Sequence, residues 1–238
     1  MQTVMHDRVM STRITGISSM ATRQVLAELA DAYRKMSGVA VLFESVGGVD
    51  AAKRVEAGEA FDVVVLAADA LAKLIGSGRV IAQSRTDLVR SAVAVAVRAG
   101  APRPDIGSEE ALRNTVLLAR TIGYSTGPSG VALMALFERW GIAGAVRGRI
   151  VQAPAGVPVG QRVANGQVEL GFQQLSELLH LPGIDVLGTL PAGAEILTTF
   201  SAGQCATSSQ PDAVRALLAF MKSPAAVEAK RRHGMEPA

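Results

Sequence analysis

The stretch from Thr121 to Phe137, TIGYSTGPSGVALMALF, constrains this chain more than any other. A short apolar strand ends at Gly123. Small, hydroxyl-bearing and turn residues follow from Tyr124 to Gly130, and Val131, Met134, Ala135 and Phe137 then resume at helical spacing. Strand, small-residue turn and helix N-terminus bring unpaired N–H groups together at the positive end of a helix dipole, which is a cradle for an anion or a carboxylate. The plain alternative is an ordinary helix cap, with Ser125 or Thr126 capping and Pro128 in the first turn.

The design recurs. Arg13 to Ser18 is a strand leading through Ser19 into a helix with Val25, Leu26, Leu29, Ala30, Tyr33 and Met36 on one face, closed by Gly38. Val39 to Phe43 predicts a buried strand, and Gly47 and Gly48 form a second turn before a helix from Asp50 to Glu56. Asp62 to Leu66 is a third strand, followed by a helix from Asp69 to Ile75. This alternation predicts parallel strands with right-handed crossovers and a ligand at their carboxyl ends. Ser84 to Val97 predicts a strand long enough to leave one sheet and enter another, with Arg85 and Arg90 near its start.

Beyond a Pro-rich break at Gly100 to Asp105, helices are expected over Ser108 to Leu118 and Ala155 to Ala164. Strands are expected over Arg149 to Gln152, Val168 to Phe172 and Ile184 to Leu187. Ile196 to Phe200 reads as a strand returning the chain to the first sheet, with helices at Asp212 to Met221 and Pro224 to Arg232 on its face.

Composition fits such a fold. Of 238 residues 49% are apolar, with few aromatics, which suits helices packed on parallel sheet. A net charge of +3 without any long basic run argues against a nucleic-acid partner. Cys205 is the single cysteine, so an intrachain disulfide and a Cys/His metal cluster are excluded; it reads as a small buried residue. His6, His180 and His233 are far apart in sequence and are expected at the surface rather than on a metal. Neither metal nor cofactor is expected. The first twenty residues contain no apolar run of signal-peptide length, so a cytoplasmic location is expected, or a periplasmic one if a leader was removed. No stretch is apolar for long enough to insert in a membrane.

Three segments, from Ile14 to Gly78, from Ile122 to Ile142 and from Val159 to Leu178, together resemble the type II periplasmic-binding-protein superfamily. The closest likeness is to its molybdate-binding branch, a group that also includes aconitate-isomerase-like enzymes. The resemblance spans Ile14 to about Ala226. It implies an α/β fold of two lobes, each a mostly parallel sheet flanked by helices, with the ligand in the interlobe cleft. The lobes are expected at residues 1–95 plus 196–238 and at 96–195, joined by crossing segments near Val93 to Ala99 and Ala192 to Thr198. Carried over residue by residue, anion contacts fall on Ser19, on Gly48 to Asp50, on Ser129, on Pro158 and Val159, and on Gln173 or Gln174; Ser18, Ser125 and Thr126 are further candidate ligand contacts in the same cradles. Val49 and Asp50 stand where the molybdate branch has serines, and Gln173 near where it has a tyrosine. A carboxylate at Asp50 would repel a tetrahedral oxyanion, whereas amides, hydroxyls and N–H groups suit an organic carboxylate.

Two functions follow from that likeness. One is a cytosolic isomerase shifting a proton or double bond of an unsaturated di- or tricarboxylate. The other is the solute receptor of an ABC importer for molybdate or another small anion, the only case that implies a transporter partner. The isomerase needs a base, for which Glu44, Asp50 and Glu177 are the candidates, with Arg23 the cation best placed for a polycarboxylate. Each acid has a plain alternative: Glu44 a solvated strand end, Asp50 a helix N-cap, Glu177 an exposed helix residue.

Overall fold

A computed structural model describes residues 13–238; His6 lies outside the described residues. In chain order the first elements are β1 (Arg13–Ser19), α1 (Arg23–Ser37), β2 (Ala40–Val46), α2 (Gly48–Glu56), β3 (Val63–Ala67), α3 (Ala68–Gly76) and the long β4 (Thr86–Arg98). Then come α4 (Glu109–Leu118), β5 (Ile122–Tyr124), α5 (Pro128–Arg139), α6 (Ala143–Val146), β6 (Ile150–Gln152), α7 (Val159–Ala164), β7 (Leu170–Gln174), α8 (Leu175–Leu178) and β8 (Ile184–Thr189). The chain ends with β9 (Leu197–Gln204), α9 (Pro211–Lys222), α10 (Val227–Arg232) and β10 (Met235–Pro237).

β4 organises the molecule. Its Thr86–Ala92 portion pairs with β9, and β10 adds on at Val89 to Ser91, whereas Val93 to Arg98 pair with β7 and β8. The ladder therefore runs unbroken in the order β2-β1-β3-β9-β4-β7-β5-β6 and curls into two halves that share this one strand. The second connection, from β8 to β9, is stitched at the same point: the Val93 N–H donates to the Ile196 carbonyl at 2.9 Å. The two-lobed α/β architecture is as expected. The sheets are mixed rather than mostly parallel: β2-β1-β3 and β7-β5-β6 are parallel, but β9 and β4 run antiparallel to their neighbours.

Period-two alternation places each half's cores. In β3 Val63 and Val65 face a core built on α1 and α9, while Val64 and Leu66 face α2 and α3. In β4 Val93, Val95 and Val97 meet Leu112, Leu133 and the fully buried Phe137, while Ala94 and Ala96 leave room for Leu178 of α8. Each such side chain contributes about 1.5–3 kcal/mol through burial. α1 buries Val25, Leu26, Leu29, Ala30 and Tyr33 of the predicted face but leaves Met36, in its last turn, exposed, and Gly38, at φ +76°, ends it by donating to the Arg34 carbonyl.

Other expectations are corrected. β2 is an edge strand with Leu42 49% exposed, because only β1 flanks it. α7 begins at Val159 instead of Ala155, since Gly156 sits at φ +76° and Pro158 disfavours helix at Val157. The last helix opens as a 3₁₀ turn over Pro224–Ala226, and β10 beyond it was not anticipated.

Candidate functional site

The carboxyl ends of β1, β2, β3, β5 and β7 all reach one cavity of about 790 Å³ between the halves. Behind these strand ends stand helix N-termini. α2 starts at Gly48 after Gly47, α3 at Ala68 after Ala67, and α5 at Pro128 after Gly127, and in none of the three does a side chain cap the first turn. Their first-turn N–H groups and dipoles are left unclaimed by side chains at the wall where an anion would sit, each dipole typically giving an anion 0.3–1 kcal/mol.

The opening stretch forms the third of these cradles. Neither Ser125 nor Thr126 caps α5; the Ser125 hydroxyl instead lies 3.2 Å from that of Ser129. A Cβ on Gly130 would come within 1.9 Å of the Ser125 carbonyl, so only glycine lets the turn fold this closely onto the helix. Ser129 is buried and lines the cavity together with Ser125 and Thr126.

Two polar atoms on this wall have no protein partner among the described residues. The Ser19 hydroxyl, on a residue 7% exposed, makes no hydrogen bond, and neither does Oε1 of Gln174, on a residue 3% exposed. The other end of the Gln174 carboxamide donates to the Thr198 hydroxyl at 2.7 Å. A buried polar group without a partner costs about 1–3 kcal/mol, a cost that a ligand completing the bond would remove.

Glu177 lies at the start of α8, on the cavity wall and half-buried. Burial pushes its carboxyl up to about 7, although a hydrogen bond from Gln173 Nε2, at 2.8 Å, pulls the other way. Among the described residues no cation pairs with it. Gln173 is held in turn, its Oε1 accepting from the Val159 N–H at 2.8 Å and the Gly160 N–H at 3.3 Å. Ser176, beside Glu177, donates to the Ala21 carbonyl at 2.9 Å and so fastens α8 to the turn that carries Ser19. A carboxyl poised near neutral pH, lining the same cavity as the open helix N-termini and the hydroxyls, has the equipment for proton transfer on a bound acid.

Several expected residues are not brought to the cavity. Glu44 is exposed and gripped at both oxygens by Arg54, at 2.6 and 3.0 Å, which holds its carboxyl below the usual range. Asp50 sits in the first turn of α2 but not on the cavity wall, and Arg23 is exposed. Ser18 is fully buried against the Ser45 hydroxyl at 2.8 Å, because successive residues of β1 point to opposite faces. The Val159 N–H is already taken by Gln173. Arg85 pairs with Asp87, and Arg90 reaches the Pro237 carbonyl. Cys205 is buried and its thiol is pushed up to about 12 by burial and Asp62. His180 and His233 meet ring to ring at 5.5 Å, despite their separation in sequence.

The cavity's own cations were missed. Lys53 of α2 and Lys73 of α3 line its mouth, exposed and outside every ion pair among the described residues, next to Glu56 and Asp69. The signal lay in helical spacing from the glycine turn, since Val49, Ala52, Lys53 and Glu56 share one face of α2.

Residues 14–236, nearly all of the described chain and every wall of the cavity, match the sequence pattern of one family. The chain belongs to the bacterial extracellular solute-binding proteins. It is 39% identical over 232 residues to an aconitate isomerase from a Pseudomonas species, covering 95% of this chain and 88% of that one. Among solved structures it superposes on the periplasmic molybdate-binding protein of Azotobacter vinelandii with a TM-score of 0.77 at 21% identity, over 93% and 98% of the two chains. The sulfate-binding protein of Mycobacterium tuberculosis gives a TM-score of 0.79 at 17% identity, over 95% and 87%. These likenesses place the fold with the two-lobed binding proteins. Among the described residues no helix is long and apolar enough to cross a membrane.

Proposed function

We propose that the cavity binds a small unsaturated di- or tricarboxylate and that the protein isomerises it by an allylic proton shift, as an aconitate-isomerase-like enzyme with Glu177 as acid–base. The observation that carries this reading is the Glu177 carboxyl: it is on the cavity wall, unpaired with any cation, and raised to about 7. A receptor for anions gains nothing from an ionisable acid there, whereas proton transfer works best when the group's pKa lies near the working pH. The relative named an aconitate isomerase supports the same reaction class.

In this mechanism the Glu177 carboxylate takes a proton from the saturated carbon next to the substrate's double bond. The C–H electron pair moves into a new C=C bond, the old double bond shifts toward a substrate carboxylate, and negative charge collects on that carboxylate's oxygens. The open N–H groups of α2, α3 and α5, with the hydroxyls of Ser19, Ser125, Thr126 and Ser129, stabilise it there. Glu177 then returns the proton at the far end of the allyl system. No electrons are gained or lost. Residues 1–95 with 196–238, and 96–195, act as the two lobes that close over the acid.

The test is to incubate the protein with a panel of unsaturated acids, cis- and trans-aconitate included, in deuterated water and to follow them by proton NMR. Isomerisation with deuterium uptake is expected for at least one acid, in a cytoplasmic enzyme without metal. Tight binding without exchange for every acid would favour the second reading, a solute receptor working with a membrane transporter, for which the family match is the specific support.

A further inference from the structure

We propose that Gln173 is a positioning residue that fixes the Glu177 carboxyl against the N-terminus of α7, and is not a ligand contact. This rests on Glu177 being the acid–base of the proposed reaction. The carboxamide has one allowed orientation. The Val159 and Gly160 N–H groups, at 2.8 and 3.3 Å, can only donate, so the atom facing them is the oxygen and the nitrogen faces Glu177 Oε1 at 2.8 Å. Gln173 is 3% exposed, and both its ends are thereby engaged with the protein.

The link has a second consequence. The loop Pro154–Pro158 lines the cavity and runs straight into α7, whose first N–H groups Gln173 reads. One carboxamide therefore joins the cavity loop, the start of α7 and one oxygen of the acid. A hydrogen bond donated to a carboxylate favours its charged form, so Gln173 holds Glu177 lower than burial alone would leave it. The other charged groups on elements packed around α8 stand apart from this network. Arg23 and Arg98 are exposed, Asp185 of β8 accepts from the Gly100 N–H, and His180, past the end of α8, is exposed against the His233 ring.

The test titrates the Glu177 carboxyl by carbon-13 NMR in protein with labelled glutamate, the signal assigned by its loss in Glu177→Gln. Gln173→Met keeps the volume and removes all three hydrogen bonds; the Glu177 midpoint is expected to rise by about one pH unit. The pH limb of kcat/KM should move with it, and KM should change less than about twofold. Gln173→Glu keeps the acceptor for α7, guarding against a folding defect, and should turn the single titration into two coupled steps, as for two acids sharing a site. An unmoved midpoint in Gln173→Met, a single wild-type titration in Gln173→Glu, or a tenfold rise in KM at unchanged kcat would overturn the assignment. If the wild type isomerises no acid, the reaction is lost, but the carboxyl titration still decides the role of Gln173.

Discussion

The two halves face the cavity with different chemistry. On the first, among the described residues, the N-termini of α2 and α3 carry no side-chain cap, the Ser19 hydroxyl has no partner, and Lys53 and Lys73 stand unpaired at the rim. On the second, the start of α7 is already filled by Gln173, and that same carboxamide holds the half-buried Glu177. On that side α5 keeps an uncapped end at the cavity, with Ser129 in its first turn. Open donors suit holding an anion that comes and goes; a filled helix end leading to a neutral-range acid suits moving a proton on it. The comparison separates holding from chemistry, and each part can be changed alone.

The largest effect is expected on holding. Ser129→Asp puts a carboxylate into the α5 cradle, where the helix dipole welcomes it, so the fold survives while substrate carboxylate is repelled. Affinity measured by calorimetry should fall on the order of 100-fold, and an unchanged affinity would remove α5 from the site. A comparable effect is expected on stability at Glu177. Its folded-state pKa is raised from 4.5 to about 7, so the native state binds more protons than the unfolded chain between those values. Stability therefore falls as pH rises from about 4.5 to about 7 and levels off above. Glu177→Gln lacks this loss and should be more stable than wild type by up to about 3 kcal/mol at pH 8, with no gain near pH 4. Denaturant unfolding at both pH values reads this directly.

Smaller effects sharpen the contrast. Lys53→Ala and Lys73→Ala should each weaken binding two- to fivefold at low salt and less at high salt, because exposed charges act through solvent. Glu44→Gln should leave stability nearly unchanged and turnover as it is, since its ion pair with Arg54 is exposed and away from the cavity.

The sequence made the fold readable where burial imposes a strict period. Val63 to Leu66 is buried on both faces, and α1 repeats its apolar residues at helical spacing, so neither could be mistaken. β10 and the start of α7 were hidden because three residues show no period, and because Pro158, immediately before Val159, decides where the helix can begin. That Ser19, Ser125 and Ser129 stand where a strand gives way to a helix was legible, because strand and helix periods flank them. Which acid enters the cavity was not. Glu44 lies in β2 and Glu177 just beyond β7, and only the folded chain brings Arg54 to one and Gln173 to the other. Lys53 and Lys73 look like any solvated lysines until α2 and α3 are turned toward the same opening.

The separation of holding from chemistry is tested most directly by measuring two properties of one protein, Glu177→Gln: calorimetric affinity for the acid that wild type turns over best, and deuterium uptake into that acid by proton NMR. The account predicts affinity within about threefold of wild type and uptake lowered by about 10²–10⁴-fold, the range for loss of an acid–base group. Uptake at the wild-type rate in a variant that still binds would contradict it.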